Sequence, residues 1–213
     1  MVNVLLVDDH ELVRTGIQHL LAESESITVV GVAGSGEEAI KMVDIMQPDI
    51  VLMDIYMPGI GGIEASRKIN RRHPGVKIII LTVLTDGPVP QQMLSAGVDG
   101  YVTKTCSIAE LVAAIRTVYA GGRYLCYNIA SKLALSNLAT SKGSPFEELS
   151  QRELQVVLMT LQGRDLGEIA ESLMISPKTV STYRHRIYEK LGVKNGVELL
   201  RLALKHNIGM DLV

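Results

Sequence analysis

The stretch Val2-Asn3-Val4-Leu5-Leu6-Val7-Asp8-Asp9-His10 decides the fold. A short aliphatic run reads as a β-strand, and this one ends on two carboxylates. Working outward, comparable runs recur at Thr28–Ala33, Ile50–Met53, Lys77–Leu81 and Tyr101–Thr103. Between them, apolar residues take helical spacing over Glu11–Leu21, Glu37–Met46, Ile63–His73, roughly Val89–Ala96, and Ile108–Tyr119. Strands alternating with helices predict an α/β domain, a doubly wound five-stranded parallel sheet. Gly97, Gly100 and the Gly121-Gly122 pair punctuate its turns.

Length and composition set the bounds. A chain of 213 residues allows one or two domains, and 47% hydrophobic with 21% charged residues excludes a disordered or fibrous polymer. The apolar runs, Val4–Val7 and Ile78–Leu81 among them, fall far short of the ~18 residues that a membrane span requires. No basic leader precedes Asp8 and Asp9, so a cytoplasmic protein without membrane association is expected. Cys106 and Cys126 lack CxxC spacing and read as reduced thiols. Charge is segregated: residues 1–125 hold 10 Lys and Arg against 14 Asp and Glu. Ser176–Lys205, by contrast, carries Lys178, Arg184, Arg186, Lys190, Lys194, Arg201 and Lys205 against Glu189 and Glu198. This asymmetry suggests an acid-lined site early in the chain and a polyanion-facing surface late in it.

Tyr127–Leu138 shows a weaker helical pattern, and Ala139–Pro145 is small and polar, a tether. Beyond it the signals are all helical. Ser150-Gln151-Arg152-Glu153 and Asp165-Leu166-Gly167-Glu168 are capping boxes, opening helices to about Gln162 and Leu173. Ser176-Pro177 opens a third helix to about Leu191, and a fourth spans Val197–His206. The reading is therefore a first domain over 1–122, a linker with helix over 123–145, and a four-helix domain over 146–213.

The acidic site is a matter of position. Asp8 and Asp9 follow the first strand, Asp54 the third, Thr82 the fourth and Lys104 the fifth. With strand order 2-1-3-4-5 these strands are neighbours ~4.8 Å apart, and ligands bind at their carboxyl edge. Three carboxylates, a hydroxyl and an ammonium then converge. Clustered carboxylates require a cation, and an oxygen donor set without His or Cys selects Mg²⁺. A carboxylate beside Mg²⁺, Lys and Thr suits phosphoryl transfer.

These residues carry a resemblance. Val4–His10, Leu52–Gly59 with Asp54 at its centre, Leu81-Thr82 and Tyr101–Lys104 are similar to a two-component receiver domain. The whole chain resembles a response regulator of the NarL/FixJ family; Thr82-Val83 and Gly87-Pro88-Val89-Pro90 look most like its GacA/UvrY branch. The resemblance implies that Asp54 accepts phosphate from a sensor histidine kinase. It further implies that Asp8, Asp9, Asp54 and the backbone carbonyl of Tyr56 hold Mg²⁺, and that Thr82 and Tyr101 form a switch pair. Thr105 stands where many receivers have proline, which puts the usual cis bond in doubt. His10 reads as an incidental start-of-helix residue, and Arg67, Lys68, Arg71 and Arg72 as a solvated face.

In the last domain, Ile169, Ala170, Leu173, Ile175, Val180, Ile187 and Leu191 give the inward stripe, closed by Leu154, Val157, Leu158 and Leu161. The arrangement resembles a LuxR-type helix-turn-helix, with the third helix reading DNA. By that resemblance Ser181, Thr182 and His185 face base edges. Lys178, Thr179, Tyr183 and Arg186 meet phosphates, and Glu189 lies at the groove rim. Val197, Leu200, Leu204 and Ile208 line one side of the fourth helix, either closing the core or forming a homodimer interface on DNA or on phosphorylation. The expected function is a phosphorylation-switched transcription regulator acting on double-stranded DNA, and no enzyme. A phosphatase with an aspartyl-phosphate intermediate would place a second Asp two residues after the nucleophile, where Tyr56 stands. A receiver serving only as an interaction module, with constitutive DNA binding, is the remaining alternative.

Overall fold

The computed structural model describes residues 1–82, 97–131, 144–206 and 208. They fall into two compact units, one built from residues up to Ala130 and the other from residues 144 onward. In the first, β1 (Val2–Val7), β2 (Ile27–Ala33), β3 (Ile50–Met53), β4 (Lys77–Thr82), β5 (Gly100–Thr103) and β6 (Tyr124–Leu125) form one sheet of order β2-β1-β3-β4-β5-β6. Every pairing is parallel. The helices are α1 (Glu11–Ala22), α2 (Gly36–Met46), α3 (Gly61–Arg72) and α4 (Ile108–Tyr119).

The strands are apolar because helices cover both faces of a parallel sheet. Leu5, Leu6, Ile50, Leu52, Ile78, Ile79 and Val102 are fully buried. Helix starts follow local chemistry: the side chains of Ser35 and Ser107 accept from the backbone N–H groups of Glu38 and Glu110. The expected strands and helices stand within two residues of their read boundaries, save the helix expected at Val89–Ala96, which lies outside the described residues. The sheet has one strand more than the five expected. Tyr124–Leu125 pairs with β5 inside the segment read as linker, and Cys126 N–H extends the edge to the Tyr101 carbonyl at 3.0 Å. A two-residue strand with half-buried side chains has no period to detect. Of the pattern at Tyr127–Leu138, residues 127–131 are helical and the rest lies outside the description. No cis peptide bond occurs among the described residues.

The second unit holds a 3₁₀ turn (Pro145–Glu148), then α5 (Gln151–Leu161), α6 (Leu166–Ser172), α7 (Pro177–Leu191) and α8 (Gly196–Lys205). Both capping boxes are formed. Glu153 Oε2 accepts from Ser150 N–H at 2.7 Å, and Glu168 Oε2 from Asp165 N–H at 2.8 Å. Ser176 caps α7 with Pro177 in its first turn, and Gly192 (φ 65°) stops it in the left-handed conformation glycine tolerates. Leu154, Val157, Leu158, Ile169, Ala170, Leu173, Val180 and Ile187 make the core as expected, around a fully buried Phe146. Leu161 and Ile175 are only half-buried. Lys190 on α7 pairs with Glu153 on α5 at 2.7 Å. Burial raises the Glu153 carboxyl, but hydrogen bonds from Lys190 and Ser150 outweigh it and hold the acid below its usual range.

Candidate functional site

Register delivers the acids to one edge. Val7 of β1 is paired with Met53 of β3, so Asp8 and Asp54, the next residues, emerge side by side. Thr82 is paired with Thr103, so Lys104 is next on the neighbouring strand, its N–H donating to the Thr82 carbonyl at 2.9 Å. The ammonium of Lys104 lies 2.8 Å from Asp54 Oδ2 and 2.6 Å from Asp8 Oδ2. Asp8 is 1% exposed, Asp54 3% and Lys104 15%. The Asp8 contact is ionic, since Oδ2 has no hydrogen-bond partner of proper geometry.

Burial pushes the Asp54 carboxyl from 3.8 up to about 6; Lys104 opposes the rise, Asp8 adds to it, and the Ile55 N–H opposes it. For Lys104, burial disfavours the cation, yet the two carboxylates outweigh it and raise the ammonium above its usual value. Thr82 and Tyr101 are fully buried on adjacent strands. Burial, with Cys126 and Asp54 nearby, raises the Tyr101 phenol. Burial likewise raises that of Tyr56, whose hydroxyl is buried without a hydrogen-bond partner.

Asp9 completes the acid group, and His10 joins it. The His10 Nδ1 is 2.9 Å from Asp9 Oδ1 and 3.4 Å from Asp8 Oδ1. One ligand atom from each of Asp8, Asp9, His10 and Asp54 lies within 4.8 Å of the others, a geometry able to hold a metal ion. His10 stands at the start of α1, where its side chain makes no cap bond and lies beside the acids.

Two further residues escaped the sequence reading. Gly62 lies against the Asp54 backbone, where a Cβ would stand 1.8 Å from the Asp54 carbonyl oxygen. Arg14 donates to the Asp8 carbonyl. The first is a close approach that only the fold creates; the i, i+6 spacing of the second follows no helical rule. The basic run on α3 is a solvated face, as read: Lys68 meets Glu64 and Arg72 meets Asp44, each at 3.9 Å.

In the second unit, α7 has 15 residues, ~22 Å of helix. Lys178, Ser181, Thr182, His185 and Arg186 are exposed; Thr179 and Tyr183 are half-buried. Thr182 donates its hydroxyl to the Lys178 carbonyl at 3.0 Å. His185 meets Glu189 at 3.3 Å, and Arg184 donates to the Tyr188 hydroxyl at 2.9 Å. On α8, Val197, Leu200 and Leu204 are exposed, whereas Ile208, expected on the same side, is buried. It follows the end of α8, and its N–H donates to the Ala203 carbonyl. The helical period no longer governs it there.

A buried Asp–Lys–Asp group at the edge of such a sheet, and three capped helices around one core, define the class. Residues 4–116 match the response regulator receiver domain, and residues 147–203 the bacterial regulatory proteins of the luxR family. The chain belongs to the two-component response regulators with a LuxR-type DNA-binding domain, transcription regulators rather than enzymes. It is 49% identical to response regulator GacA of Pseudomonas syringae, over 98% of both chains. To response regulator UvrY of Escherichia coli it is 50% identical, over 98% of this chain and 96% of that one. Among solved structures it resembles RcsB of Salmonella enterica bound to promoter rprA with the phosphomimetic BeF₃⁻ (TM-score 0.68, 28% identity, covering 95% of this chain and 98% of that one). A structure of two RcsB dimers on two parallel DNAs is also similar (TM-score 0.60, 27%, covering 95% and 98%). No described helix is long and apolar enough to cross a membrane.

Proposed function

We propose that Asp54 is the phosphoacceptor, taking the phosphoryl group from a phosphohistidine of a sensor kinase. The observation that carries this is the Lys104 ammonium, 2.8 Å from Asp54 and 2.6 Å from Asp8 in a nearly dry pocket. One Asp54 oxygen attacks phosphorus while the P–N bond to the kinase imidazole breaks. Lys104 neutralises a phosphoryl oxygen, and the Thr82 hydroxyl donates to another. Tyr101, paired with Ile80 two residues before Thr82 and so on the same face of the sheet, is the second member of the switch pair. Asp8, Asp9, Asp54 and the Tyr56 backbone carbonyl would hold Mg²⁺; the close grouping of the three carboxylates supports a cation there. Bound there, Mg²⁺ supplies the positive charge that lets an anionic donor approach an acidic pocket.

The receiver is assigned to 1–122, its sheet running on through the edge strand Tyr124–Leu125 at the start of the segment 123–145, and the DNA-binding domain to 146–213. In the last, Ser181, Thr182 and His185 face base edges, and Lys178, Thr179, Tyr183 and Arg186 meet phosphates of double-stranded DNA. Exposure of Lys178, Ser181, Thr182, His185 and Arg186 supports this. Val197, Leu200 and Leu204 form the contact of a homodimer on DNA or after phosphorylation. Their exposure, 69%, 44% and 48%, and the RcsB dimers on DNA support this. Such a regulator works in the cytoplasm, where its DNA is. The test is incubation with acetyl phosphate and Mg²⁺ followed by peptide mass spectrometry: the label falls on Asp54 and vanishes in Asp54→Asn. A label elsewhere, or none, rejects the assignment.

A further inference from the structure

We propose that Glu37 is a positioning residue for phosphoryl transfer, its carboxylate holding the turn between β3 and α3 so that the Tyr56 backbone carbonyl keeps its place beside the acids. The inference rests on the reading of that carbonyl, with Asp8, Asp9 and Asp54, as the Mg²⁺ site, and adds the residue that steadies it.

Glu37 stands in the first turn of α2, yet α2 does not use it. Ser35 caps that helix by accepting from the Glu38 N–H, and the Glu38 carboxylate accepts from the Gly34 N–H at 2.7 Å. Glu37 turns the other way and accepts from the Ile60 N–H at 2.9 Å, 23 residues on. Ile60 is the N-cap of α3, and its own side chain makes no cap bond. The Glu37 carboxylate therefore serves α3 from outside, where its negative charge also suits the helix dipole. Both carboxylate oxygens crowd Gly59, where a Cβ would stand 2.4 and 2.5 Å from them. Gly59 has φ 76°, a conformation that glycine tolerates. The second carboxylate oxygen is buried without a hydrogen-bond partner, a cost that nothing in the capping of α2 offsets.

The turn thus has two anchors. At its base the Gly62 N–H donates to the Ile55 carbonyl at 2.9 Å, and Gly62 lies against the Asp54 carbonyl. At its far end Glu37 holds Ile60. Tyr56 stands between them in the chain. A side-chain ligand can be aimed by its own rotamer, but a backbone carbonyl points where its turn points. Releasing Ile60 frees residues 56–60 and with them the direction of that carbonyl, whereas Asp8 and Asp54 sit at strand ends that the sheet itself fixes.

The test uses the full-length protein and two variants that divide reach from charge. Glu37→Gln keeps an acceptor at the same length and loses the charge; Glu37→Asp keeps the charge and falls one methylene short of Ile60. Mg²⁺ titrations are followed by tyrosine emission, which no tryptophan masks. Glu37→Asp is expected to bind Mg²⁺ roughly tenfold more weakly than wild type, and Glu37→Gln at least about threefold more tightly than Glu37→Asp. A smaller ratio between the two variants overturns the proposal, since the bond to Ile60 would then not set the affinity. Amide hydrogen exchange gives a readout without metal: the Ile60 N–H exchanges faster in Glu37→Asp than in Glu37→Gln, and equal rates overturn the proposal. Asp9→Asn separates the two levels. Loss of Mg²⁺ there, with the two Glu37 variants alike, rejects the tether alone; binding as in wild type rejects the metal site and with it this inference.

Discussion

The acid pocket and helix α7 keep their charges in opposite places. In the receiver, Asp8, Asp54 and Lys104 are nearly withdrawn from water and bonded to one another across three strands. On α7, Ser181, Thr182, His185 and Arg186 stand in water, and Thr182 and His185 meet Lys178 and Glu189 of the same helix. A buried charge costs several kcal/mol unless it is paired, so the receiver chain itself must fix the geometry, and its chemistry is legible from one molecule. A solvated side chain costs little and acquires a role from the partner that desolvates it. The pocket should thus fail through packing, and the helix through loss of its support or of single contacts.

The largest effect is expected at Gly62. A Cβ there meets the Asp54 carbonyl at 1.8 Å, a backbone atom that cannot swing aside. Gly62→Ala is expected to cost at least about 4 kcal/mol in urea unfolding and to abolish phosphoryl incorporation, while the helical unit keeps its DNA affinity. The counterpart in the other unit is Phe146, fully buried and set edge-on to His206 with ring centroids 6.1 Å apart. Phe146→Ala removes about 3 kcal/mol of stability and DNA binding together, and leaves Asp54 labelling intact.

Those two residues also mark the limits of the sequence. The strands, the polar residues at their carboxyl ends and the capped helices were legible because each depends on local pattern: an aliphatic run, a residue at its end, a Ser or Asp three before a Glu; the strand order that brings Asp8, Asp54 and Lys104 together came from the doubly wound fold class. Gly62 was not, because the approach of the β3–α3 turn to Asp54 exists only after folding. The approach of the His10 ring to Asp9 was missed for a different reason. An adjacent residue at a strand end can point either way, and no periodicity fixes it. Ile208 deceived by continuing a helical spacing past the point where the helix stops.

A smaller effect separates the two regions by pH. Burial raises Asp54 from 3.8 to about 6. Between those values the folded metal-free chain holds a proton that the unfolded chain releases. Its stability is therefore fully present below about pH 4 and declines as pH rises through 6. Mg²⁺ affinity runs the other way, climbing up to about tenfold per pH unit to pH 6 and levelling above it. Urea midpoints in EDTA and Mg²⁺ titrations check both slopes.

The smallest effects belong to α7. Lys178→Ala should lower the salt slope of DNA binding by about one and weaken all sequences alike, whereas Ser181→Ala should cost about 1 kcal/mol at its cognate base pair only. Fluorescence anisotropy at several salt concentrations distinguishes them.

The account turns on the two regions being coupled through Asp54. DNA affinity measured with and without beryllofluoride and Mg²⁺, in wild type and in Asp54→Asn, tests this most directly. The expected result is at least a fivefold gain in wild type and none in the variant. Equal affinities in all four samples would contradict it and leave a DNA-binding protein whose receiver does not govern it.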